Sequence, residues 1–198
     1  MKAGRHRSFD KDIALGKALE VFWMNGYSGA SLADLTEAMG INKPSMYSAF
    51  GNKEELFKKS LDMFVHKYGI VHTKFLFETD VCLHDRLQRY LMSIMEMATN
   101  PHLPGGCFVC SSTNGLNSDC LPLGALQAIT NINDSTRTAL LHFFETESSK
   151  GTLQRGCSPF VMANYLLTLQ FGLATMAKNG ADLDTLSEVI LHSLAGVS

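Results

Sequence analysis

Two short helical segments on either side of one glycine constrain the fold of this 198-residue chain more than any other feature. The first begins at Ser31, whose hydroxyl can cap a helix, and carries Asp34 where a carboxylate favours the positive end of the helix dipole. Gly40 ends it, and Asn42 can cap the second segment, which extends to about Ala49. A helix, a tight turn with glycine and a shorter helix are typical of a helix-turn-helix.

The rest of the chain has few strand-forming patterns and many signals for the start and end of helices. An apolar face predicts a first helix from Asp10 to Asn25, ended by Gly26. A fourth helix is predicted to begin after Asn52 and to continue past Phe64. Prolines and glycines then delimit longer helices at Leu83–Thr99, Cys107–Asn114, Leu121–Ser149, Pro159–Asn179 and Leu183–Leu194. The chain is therefore predicted to be all-α.

The charges and hydroxyl groups near the amino terminus suit a nucleic-acid partner. Residues 1–60 carry nine Lys and Arg against seven Asp and Glu, whereas residues 61–198 carry eight against twelve. A basic arm that could neutralise phosphates comprises Lys2, Arg5, Arg7 and Lys11. Groups that could bind phosphate oxygens surround the second short helix at Ser31, Lys43, Ser45, Tyr47 and Lys53. Double-stranded DNA, with that helix in the major groove, is the predicted partner, and a plain helical bundle is the alternative.

Residues 13–57 resemble the DNA-binding domain of the TetR/AcrR family of regulators. The resemblance rests on a run of motifs without a gap: Ala18-Leu19-x-x-Phe22, Gly26-Tyr27, Ser31-Leu32-x-x-Leu35, Ala38-x-Gly40-Ile41-x-Lys43 and Ser45-Met46-Tyr47-x-x-Phe50-x-x-Lys53-x-x-Leu56-Phe57. It implies a DNA-binding transcriptional repressor that binds a palindromic operator as a dimer.

By matching positions, the resemblance also implies which residues contact DNA. These are Ser31, Lys43, Pro44, Ser45, Tyr47, Ser48 and Lys53. Tyr47 takes the place of a phosphate- or base-contacting tyrosine, and Lys53 that of a phosphate-binding lysine at the start of the fourth helix. Ser48 and Ala49 are smaller than the residues usual in the family, which predicts few base contacts there and leaves the operator sequence open.

The carboxyl-terminal part resembles one subgroup of the family, in which a Gly-Cys motif opens the sixth helix. The resembling segments are Pro104-Gly105-Gly106-Cys107-Phe108, Phe171-Gly172-Leu173 and Gly180-Ala181-Asp182. The resemblance implies an N-terminal three-helix helix-turn-helix domain at residues 1–57 and a C-terminal helical domain for ligand binding and dimerisation at residues 58–198. A homodimer through the last two helices is implied. More apolar surface than one subunit can bury is predicted there, at Tyr165, Leu166, Leu169, Leu173, Met176, Leu186, Val189, Ile190 and Leu194.

Ten methionines and several aromatic residues predict an adaptable apolar cavity in the C-terminal domain. The residues expected to line it are Met92, Met95, Phe108, Phe143, Tyr165, Leu169 and Met176. A small apolar or aromatic inducer is therefore predicted to bind there and release the repressor from DNA. Taken singly, each of these side chains also suits an ordinary core.

Cys107 and Cys110 follow two glycines at a predicted helix start. The positive end of the helix dipole would lower the pKa of the Cys107 thiol, with Cys110 one turn away as a resolving thiol. The alternative function is therefore a repressor that senses oxidants or electrophiles through these thiols, although buried cysteines often serve packing alone. A zinc set with Cys120 and His102 lacks a second paired motif, so no metal is predicted.

Two further classes of protein are alternatives to a DNA-binding regulator. An enzyme would use Cys107 as nucleophile with His102 or His142 as base, but no triad signature or phosphate loop accompanies them. The chain is therefore predicted not to be an enzyme and to need no cofactor. A protein that kept the fold and lost DNA binding is the other class, because Ser48 and Ala49 are small.

The basic amino terminus is not followed by an apolar segment, and all five cysteines lie beyond residue 80. No signal peptide or disulfide framework is expected, and a bacterial cytoplasmic location is predicted. Ser158–Ala177 is the one membrane candidate, since it has twenty residues without a charge. Polar residues interrupt it, and Pro159 and Gly180 bracket it, so a helix buried in the protein is predicted instead.

Overall fold

The computed structural model describes residues 9–115, 121–154 and 156–196, and these residues form nine α-helices and no β-strand. The helices are α1 (Lys11–Gly29), α2 (Leu32–Met39), α3 (Lys43–Phe50), α4 (Lys53–Phe64), α5 (Leu83–Ala98), α6 (Phe108–Asn114), α7 (Leu123–Ser149), α8 (Pro159–Lys178) and α9 (Leu183–Leu194). The predicted all-α architecture is confirmed. We refer to α1–α4 as the head and to α5–α9 as the body.

The carboxyl-terminal end of α1 differs from the prediction at one glycine. Gly26 has a φ of 70°, a left-handed conformation that residues with a Cβ rarely adopt. This conformation kinks the helix at Gly26. One further turn follows, so α1 ends at Gly29 rather than at Asn25. The Ala30 amide donates to the Gly26 carbonyl at 3.3 Å, which directs the chain toward α2.

The backbone after α4 stays helical but changes its winding. A π-helical turn at Val65–Gly69 is followed by a 3-10 helix at Ile70–Phe77, and we call residues 65–77 the connecting segment. It is fastened to α5 by a 2.7 Å contact between His72 Nδ1 and Ser93 Oγ. The sequence predicted continuation beyond Phe64, but not the tighter and looser turns. The chain thus stays helical from α4 to Phe77, and the nonhelical residues 78–82 lead from there into α5.

Aromatic rings and two polar contacts fasten the head to the body. Phe108 of α6 packs edge-on against Phe57 and Phe64 of α4, with ring centroids 5.6 and 5.8 Å away. Trp23 of α1 donates its indole N–H to the Gly105 carbonyl at 3.0 Å. Lys178 at the end of α8 donates to the Trp23 carbonyl of α1 at 3.4 Å and also to the Pro104 carbonyl at 3.1 Å. The start of α6 is therefore held between α1, α4 and α8.

Among the described residues, α8 is the one helix long and apolar enough to cross a membrane by length and composition. Its most apolar window has a mean hydropathy of 1.3, and 39% of that window is buried inside the protein. The helix packs on α5, α6, α7 and α9. A core helix of a globular protein passes the same test of composition, so the helix adds little weight to a membrane location.

Candidate nucleic-acid interface

Local side-chain caps fix the start of each helix near the interface. The Ser31 hydroxyl accepts the Asp34 amide at 3.1 Å, while the Asp34 carboxylate accepts the Ser31 amide at 3.0 Å. This reciprocal pair is a capping box, and it lowers the pKa of Asp34 through hydrogen bonds from Ser31. Asn42 accepts the Ser45 amide at 2.9 Å at the start of α3. Asn52 does the same for the Glu55 amide at the start of α4.

Helix α3 has one face anchored in the head and one face open to solvent. Met46 and Phe50 are fully or almost fully buried. The exposed face carries four of the residues predicted to contact DNA: Lys43, Pro44, Tyr47 and Ser48. Tyr47 is 46% exposed. Two buried apolar side chains anchor this short helix, and its exposed face offers a lysine and two hydroxyls. The helix can therefore enter a DNA groove while the head stays folded.

Lys53 at the start of α4 is positioned by an aromatic ring that was not predicted to matter. Its ammonium lies 4.4 Å from the centroid of Tyr27, which in turn packs edge-on against Phe57. Partial burial lowers the pKa of Lys53 and also raises that of Tyr27. Among the described residues, Lys53 has no acidic partner in an ion pair, so its charge is available to a phosphate. The motif Gly26-Tyr27 was the available signal.

The remaining predicted contacts lie on the same part of the head. Ser31 is exposed at the start of α2, and Ser45 is partly exposed on α3. The basic arm at Lys2, Arg5 and Arg7 lies outside the described residues. None of the seven residues predicted to contact DNA is buried. The arrangement combines cations, hydroxyls and helix amino termini, which are the groups that bind the phosphates of a duplex.

Comparison with known proteins assigns the chain that carries this surface to a family. Residues 14–59 match the family described as bacterial regulatory proteins, tetR family. The transcriptional repressor ComR of Escherichia coli K12 is 30% identical over 186 residues, which cover 94% of this chain and 88% of ComR. The chain belongs to the TetR family. A TetR-family protein is a DNA-binding transcriptional regulator and not an enzyme.

Other TetR-family proteins agree in sequence and fold. The repressor BdcR of the same Escherichia coli strain is 32% identical over 117 residues, covering 58% of this chain and 56% of BdcR. A cysteine variant of the TetR-family regulator CifR, solved with a 26-bp operator duplex, has a TM-score of 0.81 and 30% identity. That match covers 98% of this chain and all of CifR. Reduced NemR of Escherichia coli, at 18% identity and a TM-score of 0.80, shares the fold.

The two cysteines of the Cys-x-x-Cys pair are free thiols at the junction of head and body. Cys107 has the extended backbone of the cap residue before α6, and both thiols are buried. Hydrogen bonding from the Cys110 thiol lowers the pKa of Cys107 in spite of burial, and the pKa of Cys110 is raised. Cys120 of the zinc set lies outside the described residues. Within the described ranges, no group of three or more metal-ligating side chains comes together.

The residues predicted to line an inducer cavity are spread over different environments. Met95, Phe108 and Phe143 are buried in the core, and Phe108 belongs to the aromatic contact with the head. Met92, Tyr165 and Leu169 are partly buried, and Met176 is exposed. The Tyr165 hydroxyl donates to the Ser193 carbonyl at 2.6 Å. Of the seven, Phe143 lines a cavity of about 310 Å³ between the start of α5 and the end of α7.

A buried ion pair beside this cavity was not predicted from the sequence. The Arg86 guanidinium of α5 donates to both oxygens of Glu147 on α7, and both side chains are buried. Burial alone would raise the pKa of Glu147, but hydrogen bonds from Arg86, Thr152 and Lys150 outweigh it and lower the value to about 2. Charged residues on the apolar stripes Leu83-Leu87-Tyr90 and Leu140-Phe143-Phe144 were the signal that could have revealed the pair.

Proposed function

We propose that this chain is a repressor that binds a palindromic operator as a homodimer and is released by a small apolar or aromatic molecule. One observation carries the proposal: α3 exposes Lys43, Tyr47 and Ser48 while Met46 and Phe50 anchor it in the head. ComR and BdcR are named repressors, and CifR was solved with operator DNA, which supports the same role here.

Several finer assignments belong to the same proposal. The first 57 residues act as the DNA-binding domain, and residues 58–198 bind the signal and the second subunit. The Gly-Cys motif before α6 supports membership of the subgroup that carries this motif. The inducer lies among the side chains of the body. The protein acts in the cytoplasm, where the DNA is.

An apolar surface on the last two helices supports the homodimer. Four large apolar side chains of α8 and α9 are exposed: Phe160, Val161, Met176 and Leu191. This surface is smaller than the sequence predicted, because five of the residues expected on it are buried within their own subunit: Leu166, Leu173, Leu186, Ile190 and Leu194. A twofold pair would set two α3 helices roughly 34–36 Å apart, one turn of DNA.

The proposal is tested by selecting an operator from random duplex DNA and measuring the stoichiometry of the complex by sedimentation. We expect a palindrome with half-sites about one helical turn apart and an even number of chains bound. Leu191→Glu should weaken the dimer and operator binding together, whereas Leu123→Glu, at an exposed leucine of α7, should change neither. A single chain that binds a non-palindromic site with undiminished affinity would refute the proposal.

The buried thiol pair favours a second candidate, in which the signal is an oxidant. Cys107 has the lowered pKa that a reactive thiol needs, and it directly precedes Phe108, whose ring packs against Phe57 of the head. Hydrogen peroxide would oxidise the Cys107 thiolate to a sulfenic acid with loss of hydroxide. Attack by the Cys110 thiol would then release water and close a disulfide.

Substitution of each cysteine separates the two candidates. With peroxide, the wild-type protein should lose operator binding, and Cys107→Ser should keep it. Cys82→Ser serves as the control, because Cys82 is an exposed free thiol away from this pair. An undiminished peroxide response in Cys107→Ser would refute the redox function and leave the ligand-released repressor as the explanation.

A further inference from the structure

The cavity beside the buried ion pair lies at the end of the body remote from DNA. A side chain at Gly124 would collide with Glu54 of the head, so the amino-terminal end of α7 adjoins the head. From there α7 rises about 1.5 Å per residue, which places Glu147 roughly 35 Å further along. The cavity volume of about 310 Å³ is near the lower end of the range for small-molecule sites, roughly 300–1,000 Å³. It suits a single ring rather than a polycyclic compound.

Around Glu147, two cations of the cavity lining share one carboxylate. Glu147 Oε1 accepts from Arg86 Nη1 at 3.2 Å and from Lys150 Nζ at 3.0 Å. Its Oε2 accepts from Arg86 Nη2. The same oxygen accepts from the Thr152 hydroxyl at 2.8 Å. One carboxylate is thus shared by two cations, and its oxygens have no acceptor capacity to spare for a ligand donor.

Two donors remain for an incoming acceptor. The Nε–H of Arg86 is buried and has no hydrogen-bond partner within the described part of the chain. A buried guanidinium with an unused N–H loses stability unless something accepts from it. The Lys150 side chain is 58% exposed, so its ammonium can bind Glu147 and a ligand at once.

The other acidic residues that line the cavity, Glu78 and Asp80, do not neutralise the positive charge of Arg86 and Lys150. Glu78 is already paired with Arg89, with 2.7 Å between Oε2 and Nη1. Asp80 is exposed at the rim, where water screens its charge. An anionic group is therefore favoured at the inner end, and a cationic one is disfavoured there.

Two aromatic residues, Phe77 and Phe143, line the cavity. Phe77 is 67% exposed, and its ring meets Phe143 edge-on with centroids 5.8 Å apart. The Arg86 guanidinium lies 5.6 Å from the centroid of Phe143. A flat ring in the cavity would cover the exposed face of Phe77 and remove apolar area from water.

We propose that this cavity binds small aromatic monocarboxylates. In this complex the Arg86 side chain turns its Nε–H toward the carboxylate, which also accepts from Lys150 Nζ, and the ring lies on Phe77. Charged hydrogen bonds of this kind are strong. The inference rests on the proposed function in one respect, since it assigns the aromatic signal of the repressor to this cavity. Of the residues predicted from methionine and aromatic content, only Phe143 then takes part.

Arg86 provides the route from the cavity to the head. Its Nη1 also donates to the Leu76 carbonyl at 2.8 Å. Leu76 belongs to the connecting segment, which continues α4 without a break. A carboxylate that reorients the guanidinium would therefore shift the connecting segment and, through it, the helix that carries Lys53.

Direct binding is tested on the full chain without DNA by NMR titration with benzoate, benzamide and benzylamine. Benzoate should bind saturably, benzamide about tenfold more weakly because it lacks the charge, and benzylamine not measurably. Phe77→Ser and Lys150→Gln should each weaken benzoate about tenfold, and Lys67→Gln, outside the cavity, should not. Arg86→Lys keeps the charge but removes Nε–H, and should weaken benzoate similarly if it folds. Absence of saturable benzoate binding, or binding unaffected by Phe77→Ser and Lys150→Gln, would overturn the proposal.

Signalling is tested separately with the selected operator. Saturating benzoate should weaken operator binding by the wild-type protein about tenfold and by Lys150→Gln much less. Benzoate that occupies the cavity while operator affinity stays unchanged would overturn the assignment of the signal. If the wild-type protein binds no operator at all, the proposed function fails, and the NMR titration still decides whether the cavity takes a carboxylate.

Discussion

Two cations packed against aromatic rings mark the two ends of this molecule. In the head, Lys53 lies over Tyr27 at 4.4 Å, with no acidic partner among the described residues. At the remote end, Arg86 lies 5.6 Å from the centroid of Phe143 and is bound to the buried Glu147. The same kind of contact therefore holds two different charges. The Lys53 ammonium has no internal counter-charge, whereas the Arg86 guanidinium is largely neutralised by Glu147.

The two cations differ in how far the protein itself neutralises their charge. A partly exposed lysine on a ring contributes little to folding, but it can contribute to binding a phosphate. A buried guanidinium must be neutralised for the fold to survive, and only what neutralisation leaves unused can act on a ligand. Substitutions at the two ends should therefore affect different measurements, stability at one and DNA affinity at the other.

The largest effect is expected at the buried pair. Glu147→Ala should lower the free energy of unfolding by about 3–5 kcal/mol, because Arg86 would stay buried without its counter-charge. Urea unfolding followed by circular dichroism measures this, with Glu145→Ala as the exposed control on the same helix. Replacing both partners, as Arg86→Met with Glu147→Leu, should restore most of the loss. A loss below about 1 kcal/mol in Glu147→Ala would contradict the comparison.

The pH dependence of stability should show the same pair. The pKa of Glu147 is about 2 in the folded protein against an ordinary value of 4.5. The unfolded chain therefore takes up the proton first, and stability present above about pH 4.5 is lost as the pH falls toward 2. Relative to the Arg86→Met, Glu147→Leu protein, the wild type should lose about 3 kcal/mol more over this range. Parallel pH profiles of the two proteins would show that the carboxylate is not perturbed.

At the DNA-facing end, Lys53→Ala should leave stability unchanged and weaken operator binding about tenfold. The slope of log affinity against log salt should fall by about one, because one phosphate contact is lost. Lys74→Ala is the matched control, since Lys74 also lies over an aromatic ring, Phe75, but belongs to the connecting segment. An unaltered salt slope in Lys53→Ala would remove this lysine from the interface.

The smallest effect is expected from the ring beneath that lysine. Tyr27→Leu keeps apolar contact with Phe57 but removes the aromatic face that positions Lys53. A contact of this kind at an exposed site is worth about 0.5–1 kcal/mol, so operator affinity should fall about two- to fivefold. Fluorescence anisotropy resolves this change. A loss as large as that of Lys53→Ala would mean that Tyr27 contacts DNA itself.

The head was predictable because its structure is specified locally. Ser31, Asn42 and Asn52 cap the helices that they precede, and a cap needs only residues two or three positions away. The exposed face of α3 follows from the same periodicity that buries Met46 and Phe50. The one local error, the end of α1, arose because a left-handed glycine can kink a helix as well as end it.

The body was predictable as a set of helices but not as a site. Arg86 and Glu147 lie 61 positions apart, and only the tertiary fold brings the two side chains within hydrogen-bond distance. Methionine and aromatic content does not distinguish a cavity wall from a core, and Met95 and Phe108 proved to be core. Cys107 and Cys110 are close in sequence, but the burial of both thiols depends on contacts with distant helices.

The proposed function depends above all on the solvent-facing side of α3 being the surface that binds DNA. Anisotropy titration of the selected operator with Tyr47→Ala, checked by sedimentation for an unchanged assembly state, tests it most directly. We predict that this variant binds about tenfold or more weakly to every operator sequence tested, at salt concentrations from about 50 to 200 mM. Wild-type affinity in a correctly assembled Tyr47→Ala protein would contradict the claim.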